Sequence, residues 1–196
     1  FSVLFRTFIL MPNPGLKYMT IDVARKGKDT TVFRVWQGWL CIYRYSIAVS
    51  GLEEVVNKAK ELQRKYNVSN SNTIADEDGV GGGVVDFLKC KGFVNNSRAL
   101  DGENYDNLKS QCGHKMAQKI MNREVAEICD NSKVKEITSE EMEQVKQKDI
   151  DKDGKISLVS KDIIKQNIGR SPDEWDSIMM RYWFEYKKQG FNGARV

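Results

Sequence analysis

Three runs rich in β-branched and aromatic residues follow one another closely near the start of the chain. They are KYMTIDVA at 17–24, TTVFRVW at 30–36 and WLCIYRYSIA at 39–48, with short segments between them that contain glycine. Runs of this composition, joined by short turn-forming connections, predict an antiparallel meander of three strands.

A helical period replaces the strand pattern after the third run. Following Gly51, apolar residues in LEEVVNKAKELQRKY share one helical face, and they are Leu52, Val55, Val56, Ala59 and Leu62. The segment NTIADEDGVGGGVVDFLKCKG at 72–92 then predicts a short strand that ends in acidic residues, a glycine-rich turn, and a helix that stops at Gly92.

The rest of the chain is less regular. FVNNSRAL at 93–100 has a strand-like pattern, 104–123 has a basic helical pattern, and a last helix is expected from Ser171 to about Lys188. Residues 124–160 alternate short strand-like and helical pieces and give no definite assignment. The element order predicts an open α/β fold, a mixed sheet flanked by helices, with the strand after the crossover helix parallel to an earlier one.

Composition bounds the classes of protein that this chain can represent. Its 196 residues allow one domain with a substantial core, and we expect an extension at 1–16 followed by a domain at 17–196. Thirty-one Lys and Arg against 27 Asp and Glu give a net charge of +4, which is compatible with a phosphate-rich partner but does not require one. The apolar FSVLFRTFIL is too short to span a bilayer and resembles no signal peptide, so we expect no membrane association.

Cysteine and histidine usage argues against two kinds of site. The four cysteines are far apart and form no CxxC pair, so a zinc site is not expected. A single histidine, His114, also argues against Ser-His-Asp or Cys-His catalysis. No G-x-x-x-x-G-K-[ST] motif occurs, so the sequence does not predict a P-loop ATPase.

Carboxylates in three separate segments are the strongest candidates for chemistry. Asp22 interrupts an apolar strand, where a buried carboxylate is costly unless it is paired or binds a metal ion; by itself it also fits a solvent-facing strand edge. Asp76 ends the fourth predicted strand before the glycine run, and ligands of open α/β sheets gather at such strand ends. Asp78 is a further possible ligand there, although a solvated turn explains it equally well.

The third segment is GRSPDEWDSIMMRYWFEY at 169–186. We expect Ser171 to cap a helix and Glu174 to complete an S-x-x-E capping box. Asp173 and Asp176, three residues apart, then share one helix face, and Asp173 also suits the helix N-terminus electrostatically. Acids on the first strand, at the end of the fourth and on the last helix form the layout of an RNase H-like two-metal nuclease.

The sequence resembles the C-terminal nuclease domain of the large terminase subunit of tailed bacteriophages. The segments that carry this resemblance are IDVARKGKDTTV (21–32), IADEDGVGGGVVDFL (74–88), NLKSQ (107–111) and GRSPDEWDSIMMR (169–181). It implies an RNase H-like fold and a metal-dependent endonuclease that cuts double-stranded DNA. Asp22, Asp76 and Asp176 would be its catalytic metal ligands and Asp173 an auxiliary ligand. Two divalent cations, Mg²⁺ or Mn²⁺, suit an all-oxygen site of this kind.

The same resemblance implies partners and a location. An N-terminal ATPase motor domain, not contained in this chain, would accompany the nuclease, with the small terminase subunit and the portal as further partners. The protein would act in the cytoplasm of an infected bacterium. Basic residues that could follow a DNA backbone are Arg25, Lys26, Lys28, Lys109, Lys115, Lys161, Lys165 and Arg170.

Two alternatives remain open from the sequence. A Holliday-junction resolvase or ribonuclease H relative would share the fold and differ in its substrate. A calcium-binding module is suggested by DIDKDGKISLVS at 149–160, which begins like an EF-hand loop with Asp149, Asp151, Asp153 and Gly154. Its twelfth position is Ser160 instead of a bidentate Glu, so the Asp-Gly pair followed by alternating residues favours a β-hairpin turn.

Overall fold

A computed structural model describes residues 2–5, 15–24, 30–48, 51–148 and 154–189. The predicted meander is confirmed. Strands β1 (Lys17–Asp22), β2 (Thr30–Gln37) and β3 (Leu40–Ala48) pair antiparallel in chain order.

The crossover after the meander also follows the prediction. Helix α1 (Leu52–Tyr66) leads to β4 (Thr73–Asp76), which lies parallel to β1, and α2 (Gly81–Leu88) leads to β5 (Lys91–Phe93), parallel to β4. Within the described ranges the sheet has six strands in the order β5-β4-β1-β2-β3-β6, where β6 is Ala126–Glu127.

The second half of the described chain is mainly helical. Its helices are α3 (Leu108–Met121), α4 (Ser132–Glu143), α5 (Lys161–Ile168), α6 (Asp173–Met179) and α7 (Trp183–Gln189). A 3₁₀ turn at Met180–Tyr182 separates α6 from α7.

Three local predictions were wrong. The strand expected at 93–100 is a loop beyond Phe93, because β5 pairs with β4 through Lys91–Phe93 instead. The last helix begins at Asp173 rather than Ser171 and is interrupted by the 3₁₀ turn. The capping box is absent from it: Pro172 holds the cap position, no side-chain cap bond forms there, and Glu174 is directed towards the sheet.

Each face of the sheet is covered by its own set of helices. Met19 and Ile21 of β1 pack with the apolar side of α1 and with Val84 and Leu88 of α2. The alternate residues of the strands pack under α3, α4 and α6, in a core that includes Trp36 and Trp175. Since successive strand residues point to opposite faces, Asp22 and Asp76 project to the side that α3 and α6 cover.

Part of the predicted N-terminal extension packs against the rest of the protein. Leu4 is fully buried in the core under α3, and Phe5 packs against the same core. The predicted division of the chain at residues 16 and 17 remains a prediction. No helix in the described segments has the length and apolar character needed to cross a membrane.

Candidate active site

The carboxyl ends of β1 and β4 bring two of the predicted acids together. The two strands are parallel, and their register pairs Ile21 with Ala75, so Asp22 and Asp76 occupy the next position of each strand. Asp22 is only 3% exposed, so the alternative of a solvent-facing strand edge is wrong. A parallel arrangement places both carboxylates at the same edge of the sheet.

Helix α6 supplies the other two acids from across the sheet edge. Asp173 and Asp176 lie one helical turn apart and both are buried. The backbone N–H of Thr30, at the start of β2, donates to Asp173 Oδ2 at 2.9 Å. That bond attaches the first turn of α6 to the strand that neighbours Asp22.

A cleft of about 620 Å³ opens at this place, and its wall is mostly polar. Among the acids that line it are Asp22, Asp76, Asp78 and Asp173. Asp176 lies behind two of the lining lysines. The ammonium group of Lys109 donates to Asp176 Oδ1 at 2.7 Å, and that of Lys161 donates to Asp176 Oδ2 at 2.9 Å.

Lys161 is also close to the other α6 acid, with its Nζ 3.9 Å from Asp173 Oδ1. We call the group formed by Asp22, Asp76, Asp173, Asp176, Lys109 and Lys161 the cleft cluster. It contains four carboxylates and two ammonium groups, so negative charge exceeds positive charge within it.

Burial and the neighbouring charges shift the pKa values of the cluster in opposite directions. Burial raises the pKa of Asp22 well above its ordinary value, and Asp176, Asp173 and Asp76 add to the rise while Lys161 opposes it. Burial likewise raises the pKa of Asp76 to about 6. Burial alone would raise the pKa of Asp176, but Lys109 and Lys161 lower it to about 2. Asp22, which is buried beside three other acids, thus resists ionisation, whereas Asp176, which two ammonium groups hold, is ionised.

Lys161 responds to the same charges. Its burial alone would lower its pKa, but the carboxylates of Asp176 and Asp22 raise it above its ordinary value. The ammonium group therefore stays charged and compensates part of the negative charge in the cleft.

Three consecutive acids at the end of β4 take different directions. Asp76 Oδ1 accepts the N–H of Asp78 at 3.1 Å, a local turn that aspartate side chains commonly form. Asp78 lines the cleft beside Asp76. Glu77 lies over Gly92 of β5, where a Cβ atom would come within 1.6 Å of Glu77 Oε2, and its side chain is therefore directed away from the other two.

Asn95 is a cleft residue that sequence reasoning missed. Its Nδ2 donates to Asp78 Oδ2 at 2.8 Å and to Asp76 Oδ1 at 3.2 Å. It follows β5 in the segment wrongly predicted to be a strand. The only signal available was the pair of adjacent asparagines at 95 and 96, which is too common in loops to indicate a site.

The donor set of the cleft cluster fits a hard divalent cation. Carboxylate oxygens from Asp22, Asp76, Asp173 and Asp176, with Asp78 beside them, are the ligands that Mg²⁺ and Mn²⁺ prefer. Within the described ranges, however, no three His, Cys, Asp or Glu side chains form a group that could hold a metal ion as they stand. Lys109 and Lys161 each donate to one oxygen of Asp176, so an incoming cation would compete with these lysines for the carboxylate.

The predicted DNA-contacting residues fall into three groups. Lys109, Lys161 and Lys165 line the cleft. Lys115 pairs with Glu103 and Arg170 pairs with Glu140, and neither is part of the described cleft wall. Arg25, Lys26 and Lys28 lie outside the described residues.

The calcium-like segment forms part of the cleft rim. Asp149, Asp151 and Asp153 lie outside the described residues, so the turn predicted at 153–154 remains a prediction. Gln147 and Leu158, on either side of these residues, form an antiparallel bridge. Ser160, the twelfth position of the EF-hand-like pattern, caps α5 by accepting the N–H of Ile163. Lys148 and Ser157 line the cleft.

Comparison with known proteins identifies the fold. No protein-family model matches the chain, and no curated protein matches it in sequence. The nuclease domain of the large terminase subunit gp2 of bacterial virus Sf6 superimposes with a TM-score of 0.75 at 18% identity, over 86% of this chain and 88% of that one. A variant of that domain solved with manganese gives 0.72 at 17% identity, with the same coverage of both chains.

A second phage domain leads to the same result. The large terminase nuclease of thermophilic phage G20c with bound magnesium gives a TM-score of 0.62 at 17% identity, over 87% of this chain and 82% of that one. The predicted RNase H-like fold and the resemblance to terminase nuclease domains are thereby confirmed at the level of the fold.

Proposed function

We propose that this protein is a metal-dependent endonuclease that hydrolyses phosphodiester bonds of double-stranded DNA during phage genome packaging. The observation that carries the proposal is the convergence of Asp22 and Asp76 with Asp173 and Asp176 at the edge of one cleft. They come from two strand ends and one helix that lie far apart in the chain. The fold in which they converge is that of phage terminase nuclease domains.

Asp22, Asp76 and Asp176 would hold two divalent cations, Mg²⁺ or Mn²⁺, with Asp173 as an auxiliary ligand and Asp78 as a further candidate. Bound there, such cations would activate a water molecule and stabilise the departing 3′ oxygen. Related domains were solved with manganese and with magnesium, which supports this choice of cation.

The lysines of the cleft have a separate task in this proposal. A cation held by Asp176 would compete with Lys109 and Lys161 for its carboxylate. Both lysines line the cleft, where a DNA phosphate would offer their ammonium groups an equivalent anionic partner. Lys165 and Lys148 line the same wall and extend the positive surface along it. Contacts to phosphates position a DNA backbone without reading its sequence, so we expect little sequence preference.

The setting in which the enzyme acts is part of the proposal. The structural relatives are domains of large terminase subunits of phages. We therefore infer an ATPase motor domain outside this chain, the small terminase subunit and the portal as partners, and the cytoplasm of an infected bacterium as the place of action.

Plasmid cleavage tests the proposal directly. Supercoiled plasmid incubated with the protein and Mn²⁺ should be nicked and then linearised, and EDTA should stop the reaction. Asp22→Asn and Asp176→Asn should each reduce the rate by more than about 100-fold, since losing even an outer partner of a metal ligand typically costs 10–100-fold. Asp86→Asn, an exposed acid of α2 that does not line the cleft, is the matched control and should cleave normally.

Cleavage that persists in both Asp22→Asn and Asp176→Asn would show that the assigned site is wrong. A parallel comparison of linear duplex, four-way junction and RNA–DNA hybrid separates the proposed substrate from those of a resolvase or a ribonuclease H. Preferred cutting of the junction or the hybrid would replace double-stranded DNA as the substrate.

A further inference from the structure

A second group of charged side chains lies beneath α6, on the side away from the cleft. Arg34 of β2 is fully buried, and it contacts Glu127 of β6 and Glu174 of α6. Arg44 of β3 also pairs with Glu174. We call Arg34, Arg44, Glu127 and Glu174 the buried cluster. It has no part in the proposed chemistry, yet it ends on the helix that carries Asp173 and Asp176.

Every N–H of the Arg34 guanidinium group has an acceptor. Nε donates to Glu127 Oε2 at 3.1 Å, and Nη2 donates to Glu127 Oε1 at 3.3 Å and to Glu174 Oε2 at 2.7 Å. Nη1 donates to the carbonyl oxygen of Glu174 at 3.0 Å and to the hydroxyl of Ser177. Three of the five donors of this rigid planar group thus hold three separate atoms of α6, and the other two hold Glu127.

Glu174 also neutralises two arginines that face each other in the sheet. Arg34 and Arg44 are directly opposite each other on β2 and β3, where two like charges would repel. The Glu174 carboxylate bridges them, with Oε2 accepting from Arg34 at 2.7 Å and from Arg44 Nε at 3.2 Å. Burial alone would raise the pKa of Glu174, but the two guanidinium groups lower it, so it stays ionised between them.

The hydrogen bonds from Arg34 restrict rotation of α6 about its own axis. Glu174 and Ser177 are three residues apart and share one stripe of the helix, and Asp173 and Asp176 share the neighbouring stripe. Helix α6 has only seven residues, and its apolar contacts through Trp175, Ile178 and Met179 are not directional. Hydrogen bonds to a fully buried guanidinium are directional, and a rotation of the helix would break several of them at once.

We propose that Arg34, acting through Glu174, is a positioning residue that sets the rotation of α6 and so aims Asp173 and Asp176 into the cleft. The inference rests on the proposed function in one respect, since it takes these two acids to be metal ligands. Its alternative is that the buried cluster only stabilises the fold. The two glutamates distinguish these roles, because Glu174 belongs to α6 whereas Glu127 belongs to β6 at the sheet edge.

The test compares Glu174→Gln with Glu127→Gln in the full chain. Mn²⁺ affinity is measured by titration calorimetry, and urea unfolding gives the stability of each variant. We expect Glu174→Gln to weaken Mn²⁺ binding by about 10-fold or more, as loss of an outer partner of metal ligands does, and Glu127→Gln to change it by less than about threefold. Leu62→Ala, in the core on the opposite face of the sheet, controls for loss of stability alone and should bind Mn²⁺ as the wild type does.

Equal Mn²⁺ affinity in the two glutamine variants, whether unchanged or weakened alike, would overturn the positioning role. Absence of Mn²⁺ binding by the wild type would overturn the proposed metal site and this inference together, which distinguishes that failure from the first. If Glu174→Gln does not fold, Ser177→Ala takes its place, since it removes one acceptor on α6 without leaving a buried charge. Ser177→Ala must then bind Mn²⁺ at least about threefold more weakly than Glu127→Gln for the inference to stand.

Discussion

The cleft cluster and the buried cluster both lie on one face of the sheet, and α6 contributes to each. In the buried cluster two arginines face two glutamates, and every N–H of Arg34 has a partner. In the cleft cluster four carboxylates share two lysines, so its charges are not balanced. The buried cluster is thus electrically neutral, whereas the cleft cluster has more carboxylates than cations.

The difference indicates what each cluster is suited to do. A buried network with all partners present holds elements in one arrangement but has no capacity for a ligand. In a group of acids with too few cations, the carboxylates repel one another, and a cation that binds there lowers this repulsion. Such local cost is characteristic of functional sites, where stability is lower than the fold would otherwise allow.

Breaking the buried cluster should have the largest effect on stability. Arg34→Met leaves Glu127 and Glu174 without their shared cation inside the protein. We expect a loss of about 3–5 kcal/mol in the free energy of unfolding, which is typical when one partner of a buried ion pair is removed. Urea unfolding followed by circular dichroism measures this, and a loss below about 1 kcal/mol would show that the network is not a constraint.

Adding a methyl group at Gly81 tests how tightly the start of α2 packs against the end of β4. A Cβ at Gly81 would come within 1.7 Å of the Asp76 carbonyl oxygen, whereas one at Gly82 would be 3.5 Å from that of Glu77. Gly81→Ala should therefore cost about 1–3 kcal/mol, as overpacking does, because α2 or the Asp76 turn must shift. Gly82→Ala is the matched control and should be neutral or stabilising by up to about 1 kcal/mol in the same thermal or urea unfolding measurement.

Two acids of the cleft cluster should respond to neutralisation with opposite signs. Asp22→Asn removes a buried carboxyl surrounded by other acids and should raise stability by about 0.5–2 kcal/mol at neutral pH. Asp176→Asn leaves Lys109 and Lys161 without their carboxylate and should lower stability by a similar amount, about 1–2 kcal/mol. Thermal unfolding of the two variants side by side measures this, and a shift of both in one direction would contradict an imbalance of charge.

Glu141 should make the free energy of unfolding depend on pH. Its Oε2 accepts the N–H of Trp175 in the first turn of α6, and burial raises its pKa to about 8 although that bond and Arg170 oppose the rise. The folded state thus keeps a proton that the unfolded chain has lost above pH ~4.5, so this contribution to stability falls between about pH 5 and 8. The expected slope is at most about 1.4 kcal/mol per pH unit, because this group binds a single proton.

Urea unfolding between pH 5 and 9 measures that slope. Glu141→Gln should flatten it, whereas Glu140→Gln, a partly exposed neighbour that pairs with the same arginine, should leave it unchanged. An identical slope in the wild type and Glu141→Gln would assign the pH dependence to other groups.

Much of the sheet could be predicted because the relevant signals are local. The β-branched runs gave β1, β2 and β3, and the acids that end β1 and β4 could be located from the strands themselves. β5 was misplaced because a three-residue edge strand carries almost no pattern of its own. The S-x-x-E pattern before α6 predicted a capping box, yet Glu174 found arginines 140 and 130 residues away that no local pattern could reveal.

The sequence by itself therefore determined the three-strand meander, the crossover helix with β4, and the acids at the ends of β1 and β4, since periodicity and turn residues act over a few positions. Only the tertiary structure decided which of these acids meet, which lysines lie between them, and which way Glu174 points. Coulomb forces and desolvation depend on distances and burial in three dimensions, and they join residues from distant parts of the chain. Folding therefore gives α6 one cluster in which positive and negative charges are equal and another in which negative charge is in excess.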